Sequence, residues 1–338
     1  MSERIAVIGA GSWGTTLAIL LTRKGFQVTL WVHRPEHLEA LASERINRQY
    51  LPDVPLPDSL RLTGELDEAV ARAKFVVLAV PSHAMRPICQ QMRPEVRRDQ
   101  IMINVAKGIE NDTLKRMSEV IAEVLGLPIR QVASLYGPSH AEEVSREIAT
   151  AVVAASPSLS TARLVRDLFA TEFFRVYSND DIVGVEVGGS LKNVVAIAAG
   201  ISDGAGFGDN TKAALLTRAL VEITRLGVKM GARPETFAGL SGMGDLIVTC
   251  MSRHSRNRYV GEQIGRGKRL EQVLKEMVMV AEGVKTTRSA HQLARKFGVE
   301  MPISEAVYQV LFHGKSPHQA VYELMTRDPK EELDAPRA

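Results

Sequence analysis

Cysteine and tryptophan are scarce in this sequence, with two of each among 338 residues. Cys89 and Cys250 lie far apart and lack metal-ligand spacing, which argues against a disulfide framework and against a metal site. A strong charge of one sign is also missing, because 42 Lys and Arg stand against 39 Asp and Glu, a net charge of +3. Aromatic residues make up 5% and are not interleaved with a basic stripe. Nucleic-acid binding is therefore disfavoured.

Long uncharged apolar runs are missing as well. The segment from Ile182 to Ile201 has the length of a membrane span, but it contains Glu186, Lys192 and four glycines. A buried core helix explains it better than a membrane span. Glu3 and Arg4 stand directly before a strand-like run, without the pattern of a signal peptide. We expect a cytoplasmic protein with no membrane span.

Short apolar runs alternate with amphipathic stretches through the first half of the chain. This alternation predicts a parallel sheet covered by helices on both faces. The predicted strands are RIAVIG, QVTLW, FVVLAV, IMINVA, QVASLYG, TAVVAAS and RVYS. The helices predicted between them are Thr15 to Lys24, Pro35 to Arg45, His83 to Met92, Thr113 to Leu125, and Leu159 to Phe169.

The strand pattern stops after Asn179, and the rest of the chain predicts helices. These are Asp181 to Ile201, Asn210 to Met230, Arg256 to Gly265, Leu270 to Met277, Thr286 to Phe297, Ser304 to Phe312 and Pro317 to Met325. We predict an α/β protein with a Rossmann-type doubly wound sheet in residues 1–179. We expect residues 180–338 to form an all-helical domain for substrate binding and catalysis.

The stretch GAGSWG follows the first predicted strand and opens a helix. Gly9 allows the tight turn, Gly11 lets a pyrophosphate approach the backbone, and Gly14 lets the helix pack closely on the strand. Free N–H groups and the positive end of the helix dipole then face the phosphates. A glycine-rich turn without a ligand is the alternative, but the strand and helix around it favour dinucleotide binding.

The end of the second predicted strand indicates which dinucleotide binds. An NAD site usually carries an acid there, but Thr29 to Arg34 contain none. His33 and Arg34 occupy the position, and a cation suits the 2′-phosphate of NADP. We therefore favour NADP(H), with NAD(H) possible; a solvated Arg34 at a strand end is the alternative.

Lys192 is the polar exception in an apolar helix. Gly188 and Gly189 precede it on the same helix face, so we expect room for a small ligand beside its side chain. Burial lowers the pKa of a lysine and makes it a candidate general acid. A structural ion pair, or a side chain that reaches solvent, is the alternative.

Four other segments carry candidate ligand groups. Each has a structural alternative as a turn, a helix cap or a solvated basic face. The segments are the glycine-rich loop before Asp245, the phosphate-cradle pattern of Ser255, Arg256 and Asn257, the strand end with Lys107, and the turn of Gly137 and Ser139.

Taken together, these motifs resemble the bacterial-type NAD(P)-dependent glycerol-3-phosphate dehydrogenases over nearly the whole chain. The similar segments are IGAGSWGTTLA, VVLAVPSHAMR, AKGIE, YGPSHAEEV, GGSLKN, GFGDN, GLSGMGDLIVTC, SRNR, AEGVKT and MPISEAVY. Tyr136 and His140 depart from the serine and phenylalanine that are commoner around this turn.

The resemblance implies a role for each matching position. Lys192 matches the catalytic lysine of the family. The implied substrate contacts are Lys107, Gly137, Ser139, Lys192, Asp245, Ser255, Arg256 and Asn257. The implied cofactor contacts, besides the glycines and His33, are Ser12, Trp13, Arg34, Lys107, Ala141, Arg256, Val280 and Glu282.

The resemblance also implies a reaction: reversible reduction of dihydroxyacetone phosphate to sn-glycerol 3-phosphate, which supplies phospholipid synthesis. Two alternatives stay open, a related hydroxy-acid dehydrogenase and a catalytically silent NADP-binding sensor. A homodimer through the helical domain is expected by analogy only.

Overall fold

A mixed eight-stranded sheet forms the first half of the protein in a computed structural model that describes residues 3–277, 279–329 and 331–332. The strands, including a separate two-stranded hairpin of β3 and β4, are β1 Arg4–Ile8, β2 Gln27–Trp31, β3 Ile46–Asn47, β4 Leu51–Pro55, β5 Arg61–Thr63, β6 Phe75–Leu78, β7 Ile101–Asn104, β8 Val132–Tyr136, β9 Thr150–Ala155 and β10 Phe174–Asn179. Their order in the main sheet is β10-β9-β8-β7-β6-β1-β2-β5. The predicted doubly wound fold is confirmed.

The chain reverses its direction across the sheet at β1. It runs outward through β2 to β5 and then returns to place β6 on the other side of β1. Val7 pairs with Leu30 of β2 and with Val77 of β6, both in parallel register. Ligands of such sheets bind outside the carboxyl ends of the strands at this reversal.

Helices cover both faces of the sheet. The helices of the first half are α1 Ser12–Arg23, α2 Pro35–Glu44, α3 Leu66–Ala71, α4 Met85–Met92, α5 Met117–Leu125, α6 Ala141–Val144 and α7 Leu159–Phe169. Alternate residues of β1 enter different cores: Val7 packs with Leu17 of α1, and Ile8 packs with Val70 of α3. This period of two is what a strand buried on both faces requires.

The prediction of a wholly parallel sheet is wrong at one place. Strand β9 pairs with β8 in antiparallel fashion, and β10 then follows β9 in parallel. The connection between β8 and β9 contains only the four-residue helix α6. A parallel crossover usually carries a helix that returns along the full length of a strand, about 16 Å here, and α6 spans only about 6 Å. The chain therefore turns back on itself.

The second half is helical, as predicted. Its helices are α8 Ile182–Gly204, α9 Asp209–Lys229, α10 Pro234–Phe237, α11 Asp245–Met251, α12 Arg256–Gly265, α13 Leu270–Glu276, α14 Glu282–Phe297, α15 Pro302–His313 and α16 Pro317–Met325, with a π-helical turn at Leu240–Gly244. Asp181 caps α8 by accepting a hydrogen bond from the Gly184 amide at 2.9 Å. The change from strands to helices thus falls between Asn179 and Ile182.

Helix α8 is the central element of this half. It is long and apolar enough to cross a membrane, but 89% of its most apolar stretch is buried inside the protein. It packs closely on α12 at Gly200, where a Cβ would lie only 1.9 Å from the Arg258 carbonyl oxygen. The predicted core helix is confirmed, and its packing fixes the N-terminus of α12 beside the carboxyl edge of the sheet.

Candidate active site

The glycine turn after β1 has the geometry that a dinucleotide needs. Gly9 has a φ of +114°, and a Cβ there would lie 2.8 Å from the Ala79 carbonyl oxygen. A Cβ at Gly14 would lie 1.9 Å from the Gly9 carbonyl oxygen, so α1 can approach β1 only because this residue is glycine. Gly11 faces open space and starts α1 without a side-chain cap. The first turn of α1 thus offers backbone N–H groups to an anion.

Two residues of α1 that were predicted to contact the cofactor lie in this turn. Ser12 is the first helical residue, and its carbonyl accepts a hydrogen bond from Thr16 at 2.9 Å. Trp13 is partly buried, with its ring 6.3 Å from that of Phe174. Both residues follow directly on the glycines, next to the reversal point of the sheet.

Arg34 is held at the end of β2 by the hairpin of β3 and β4. Its guanidinium donates to Gln49 Oε1 at 2.7 Å and to the Tyr50 hydroxyl at 2.9 Å. His33 is exposed, and its ring lies 5.4 Å from that of Trp31. Sequence analysis missed the hairpin, which holds the Arg34 guanidinium at the end of β2.

A carboxylate shared by two lysines is the chemical centre of the site. Asp245, at the start of α11, is 1% exposed. Its Oδ1 accepts a hydrogen bond from Lys192 Nζ at 2.6 Å, and its Oδ2 accepts one from Lys107 Nζ at 2.6 Å. Lys192 lies on α8 and Lys107 follows β7, so Asp245 joins the helical half to the edge of the sheet.

The environment of Lys192 changes its proton affinity. The residue is 5% exposed, and burial lowers its pKa; with Asp245 raising it and Lys107 lowering it, the pKa falls from 10.5 to about 8. A general acid or base works best when its pKa is near the working pH. Lys192 can therefore exchange a proton near neutral pH.

Thr249 is a contact that sequence analysis missed. Its hydroxyl accepts a hydrogen bond from Lys192 Nζ at 2.5 Å and donates to the Asp245 carbonyl at 2.6 Å. Residues four apart share a helix face, so its spacing from Asp245 was the available signal. Thr249 and Asp245 together fix the position of the Lys192 ammonium group.

The prediction of space for a ligand beside Gly188 and Gly189 is wrong. A Cβ at Gly188 would lie 3.0 Å from the Ser241 carbonyl oxygen, and one at Gly189 would lie 2.4 Å from Cδ2 of Tyr136. Protein atoms fill that space. These glycines let the π-helical turn and β8 pack against α8, which brings Asp245 and Lys107 to Lys192.

The turn after β8 contributes backbone groups. The Gly137 carbonyl accepts hydrogen bonds from Lys107 Nζ and from the Ser139 hydroxyl, both at 3.0 Å. Ser139 does not cap α6, because His140 holds the N-cap position. The Ala141 carbonyl accepts from Thr16 of α1 at 3.4 Å, so this residue lies on the dinucleotide side.

The start of α12 brings together the predicted phosphate contacts. Ser255 caps the helix by accepting from the Arg258 amide at 3.2 Å, and Arg256 donates to the Val280 carbonyl at 3.0 Å. Asn257 is 8% exposed; its amide donates to Asn193 and accepts from the Gly283 amide, both at 2.9 Å. The structure thus places Asn257 in helix packing, with Arg256 beside it at the surface.

Glu282, the first residue of α14, connects that helix to the loop after β6. Its carboxylate accepts from the Ser82 amide at 3.0 Å and from the Ser82 hydroxyl at 2.5 Å. A Cβ at Gly108 would lie 2.6 Å from Ser82, so the residue after Lys107 must be small. The predicted residues of both halves thus gather at one edge of the sheet.

The fold and the site are those of a dehydrogenase that uses a nicotinamide dinucleotide. Family models for the N-terminus and the C-terminus of NAD-dependent glycerol-3-phosphate dehydrogenase match residues 4–162 and 181–322. The chain belongs to this family, and the predicted resemblance is confirmed.

Individual relatives agree over nearly the whole chain. A Chlorobium limicola protein is 59% identical over 330 residues, covering 97% of this chain and 99% of the relative. A Thermoanaerobacter protein is 56% identical, covering 98% and 99%. Both are named glycerol-3-phosphate dehydrogenase with NAD(P)+ as coenzyme. The solved glycerol-3-phosphate dehydrogenase of Coxiella burnetii is 38% identical, with a TM-score of 0.92 over 96% of this chain and 99% of that one.

Proposed function

We propose that this protein reduces dihydroxyacetone phosphate reversibly to sn-glycerol 3-phosphate, with Lys192 as the proton donor and acceptor. The observation that carries the proposal is the pair of lysines on one buried carboxylate, at the edge of the sheet where the glycine turn lies. Family membership supports the substrate, and the names of the relatives support the use of both NADP(H) and NAD(H).

The residues of the glycine turn fit the dinucleotide. The open space at Gly11 and the uncapped start of α1 suit the pyrophosphate, and Arg34 suits a 2′-phosphate. The chemistry that the reduced nicotinamide supplies when bound is a hydride for the ketone carbon. NADPH is the favoured reductant because a cation replaces the acid usual in NAD sites.

Lys192 is suited to the proton transfer. As negative charge develops on the ketone oxygen, the Lys192 ammonium donates a proton to it, and in the reverse direction neutral Lys192 accepts the proton of the alcohol. The Lys107 ammonium group lies beside the same oxygen and stabilises its charge. Asp245 orients both ammonium groups through its two oxygens.

The substrate phosphate belongs at the start of α12. Arg256 supplies a guanidinium, and the first turn of the helix supplies backbone N–H groups and the positive end of its dipole. Binding this remote group positions the carbonyl for reaction. Ser255, Gly137 and Ser139 complete the proposed substrate contacts.

Four wider assignments belong to the same proposal. The chain divides into a dinucleotide-binding domain of residues 1–179 and a catalytic domain of residues 180–338. The protein acts in the cytoplasm, its product supplies glycerophospholipid synthesis, and two copies associate through their helical domains. Two hydrophobic clusters that lie wholly in the first half, and one that lies almost wholly in the second, support the division.

The test is NADPH oxidation by the purified protein with dihydroxyacetone phosphate, beside unphosphorylated dihydroxyacetone and a 2-oxo acid. We expect rapid oxidation with the phosphorylated ketone, little with the other two, and almost none for Lys192→Met. Lys229→Met, at an exposed position of α9, is the matched control. Oxidation with the 2-oxo acid alone would favour a hydroxy-acid dehydrogenase, and NADPH binding without oxidation would favour a sensor.

A further inference from the structure

Tyr136 joins the two halves of the protein directly beneath the proposed catalytic groups. It is the last residue of β8, is fully buried, and packs with Ile182 and Val185 of α8. A Cβ on Gly189 would lie 2.4 Å from its ring, so the ring lies against the helix face one turn before Lys192. Tyr136 thus has a fixed position relative to the helix that carries Lys192.

The same ring contacts Lys107. The Nζ of Lys107 lies 5.6 Å from the centre of the Tyr136 ring, over its face. An ammonium group at this distance is attracted by the negative face of the ring, and more strongly in a desolvated site. The carbonyl of the next residue, Gly137, accepts a hydrogen bond from the same ammonium at 3.0 Å. One dipeptide therefore contacts Lys107 from two directions.

The hydroxyl of Tyr136 fixes the backbone that leads to Lys107. It donates a short hydrogen bond to the Ala106 carbonyl and accepts one from Asn104 Nδ2 at 3.0 Å. Burial raises the pKa of Tyr136 well above its usual value, so this hydroxyl stays protonated and remains a donor. The peptide directly before Lys107 is thus held by the same side chain that lies beneath its ammonium.

A buried carboxylate holds this arrangement from the other side. Glu186 of α8 is 1% exposed and accepts five hydrogen bonds: from Asn104, Arg116, Ser134, and both the amide and the hydroxyl of Ser118. Asn104 therefore connects Glu186 to the Tyr136 hydroxyl. A single connected network thus extends from α8 to the Lys107 loop.

We propose that Tyr136 is a positioning residue for the reaction, which holds Lys107 on the shared carboxylate of Asp245 and so keeps its charge beside Lys192. This inference rests on the proposed function. It concerns the tyrosine that replaces the commoner serine in this turn, and it gives that departure a role.

The consequence is an effect on the protonation of Lys192. The titratable groups that act on Lys192 are Asp245 and Cys250 on α11, Lys107 after β7, and His140 after β8. Burial raises the pKa of Cys250 to about 12, so it is a neutral thiol. Lys107 lowers the pKa of Lys192, and a Lys107 that leaves its position lowers it less. Loss of the ring therefore moves the pKa of Lys192 upward.

The experiment compares kcat, KM and the pH profile of dihydroxyacetone phosphate reduction in Tyr136→Leu and Tyr136→Phe with the wild type. We expect Tyr136→Leu to lower kcat about tenfold, to leave the KM for NADPH unchanged, and to move the alkaline limb to higher pH. Tyr136→Phe keeps the ring, so its limb stays in place and its kcat falls less than about threefold. Tyr177→Phe, at an exposed tyrosine of β10, is the matched control.

A double-mutant cycle with Lys107→Met decides between positioning and a general structural effect. If Tyr136 acts through Lys107, Tyr136→Leu lowers kcat little further in the Lys107→Met background. An equal loss in both backgrounds, or an unmoved alkaline limb, would overturn the inference while the wild-type reaction stands. A wild type inactive with this ketone would overturn the proposed function and the inference with it.

A variant that keeps the shape of the ring covers the case in which Tyr136→Leu fails to fold. Tyr136→pentafluorophenylalanine has nearly the shape of Tyr136→Phe but lacks a negative ring face. We expect its kcat to fall below that of Tyr136→Phe and its alkaline limb to lie at higher pH. Identical profiles for these two variants would contradict the inference.

Discussion

Replacing Asp245 with asparagine removes the carboxylate that two ammonium groups share and keeps nearly the same shape. Lys192 and Lys107 each lose an ion pair of 2.6 Å. The negative charge of Asp245 raises the pKa of Lys192 against the effect of burial. Its removal must therefore lower a pKa that is already near 8. The acid form of Lys192 is then lost at lower pH than in the wild type.

The size of the effect follows from the pair distance. An opposite charge this close is worth about 1 to 3 pKa units. Taking about 1 unit, the pKa of Lys192 falls to about 7, and the protonated fraction at about pH 9 falls roughly tenfold. At about pH 6 both proteins keep Lys192 protonated, so the loss from protonation nearly vanishes there. Poorer orientation of the two lysines adds a loss that does not depend on pH.

The assay is kcat for dihydroxyacetone phosphate reduction across this pH range at saturating NADPH. We expect the alkaline limb of Asp245→Asn to lie about one pH unit or more below that of the wild type. Asp180→Asn is the control, because Asp180 pairs with Arg233 at the surface. A limb that stays in place, or moves to higher pH, would refute the reasoning that Asp245 sets the protonation of Lys192.

Three further predictions concern Lys192 and Arg34. In the wild type, oxidation of sn-glycerol 3-phosphate should increase as the pH rises through about 8, because the base is then neutral Lys192; a pH-independent kcat would contradict this. Arg34→Ala should raise the KM for NADPH roughly 10- to 100-fold and leave the KM for NADH nearly unchanged, since only NADPH carries the 2′-phosphate; equal changes in both would count against the assignment. Lys192→Met should abolish activity. It should also increase the free energy of unfolding near pH 7, measured by denaturant titration, by up to about 3 kcal/mol. The reason is that a lysine with its pKa lowered from 10.5 to about 8 destabilises the folded state below pH 8. The wild type should gain stability as the pH rises from about 8 to 10.5, where the unfolded chain binds more protons, and Lys192→Met should lack this gain.

Sequence patterns predicted the buried elements better than the edges. The seven predicted strands are all present. Most are continuously apolar because both their faces are buried, whereas the edge strand β10 alternates buried and exposed residues. The hairpin of β3 and β4 was missed, since a segment such as LPDVP contains two prolines and is only partly buried. A helix was predicted to open after Gly137, but its shortness and the reversed direction of β9 were missed. An apolar run predicts a strand but does not indicate whether that strand runs parallel or antiparallel to its neighbour.

The site was predicted as separate groups and not as an assembly. Lys192 was recognisable because a charged residue is anomalous in a buried helix, and the glycines after β1 because a turn with close approach needs them. Lys107 and Asp245 are 138 residues apart in the chain, so no local pattern links them. Gly188 and Gly189 were misinterpreted for the same reason: a missing side chain shows that something lies close, but not whether it is a ligand or Tyr136.

The charge balance of the cluster shows why its geometry suits this reaction. Two ammonium groups and one carboxylate leave one uncompensated positive charge in a site where Asp245 and Lys192 are almost fully buried. Such a charge destabilises the folded protein, because the low dielectric that strengthens attraction also penalises an unpaired ion. In the proposed reaction, the same charge stabilises negative charge that develops on the substrate oxygen, and it needs no reorganisation to do so. Burial is the main cause of the lowered pKa of Lys192, and it also strengthens the proposed stabilisation of the alkoxide, so a substitution that relieves the first, such as Lys192→Met, must also remove the second.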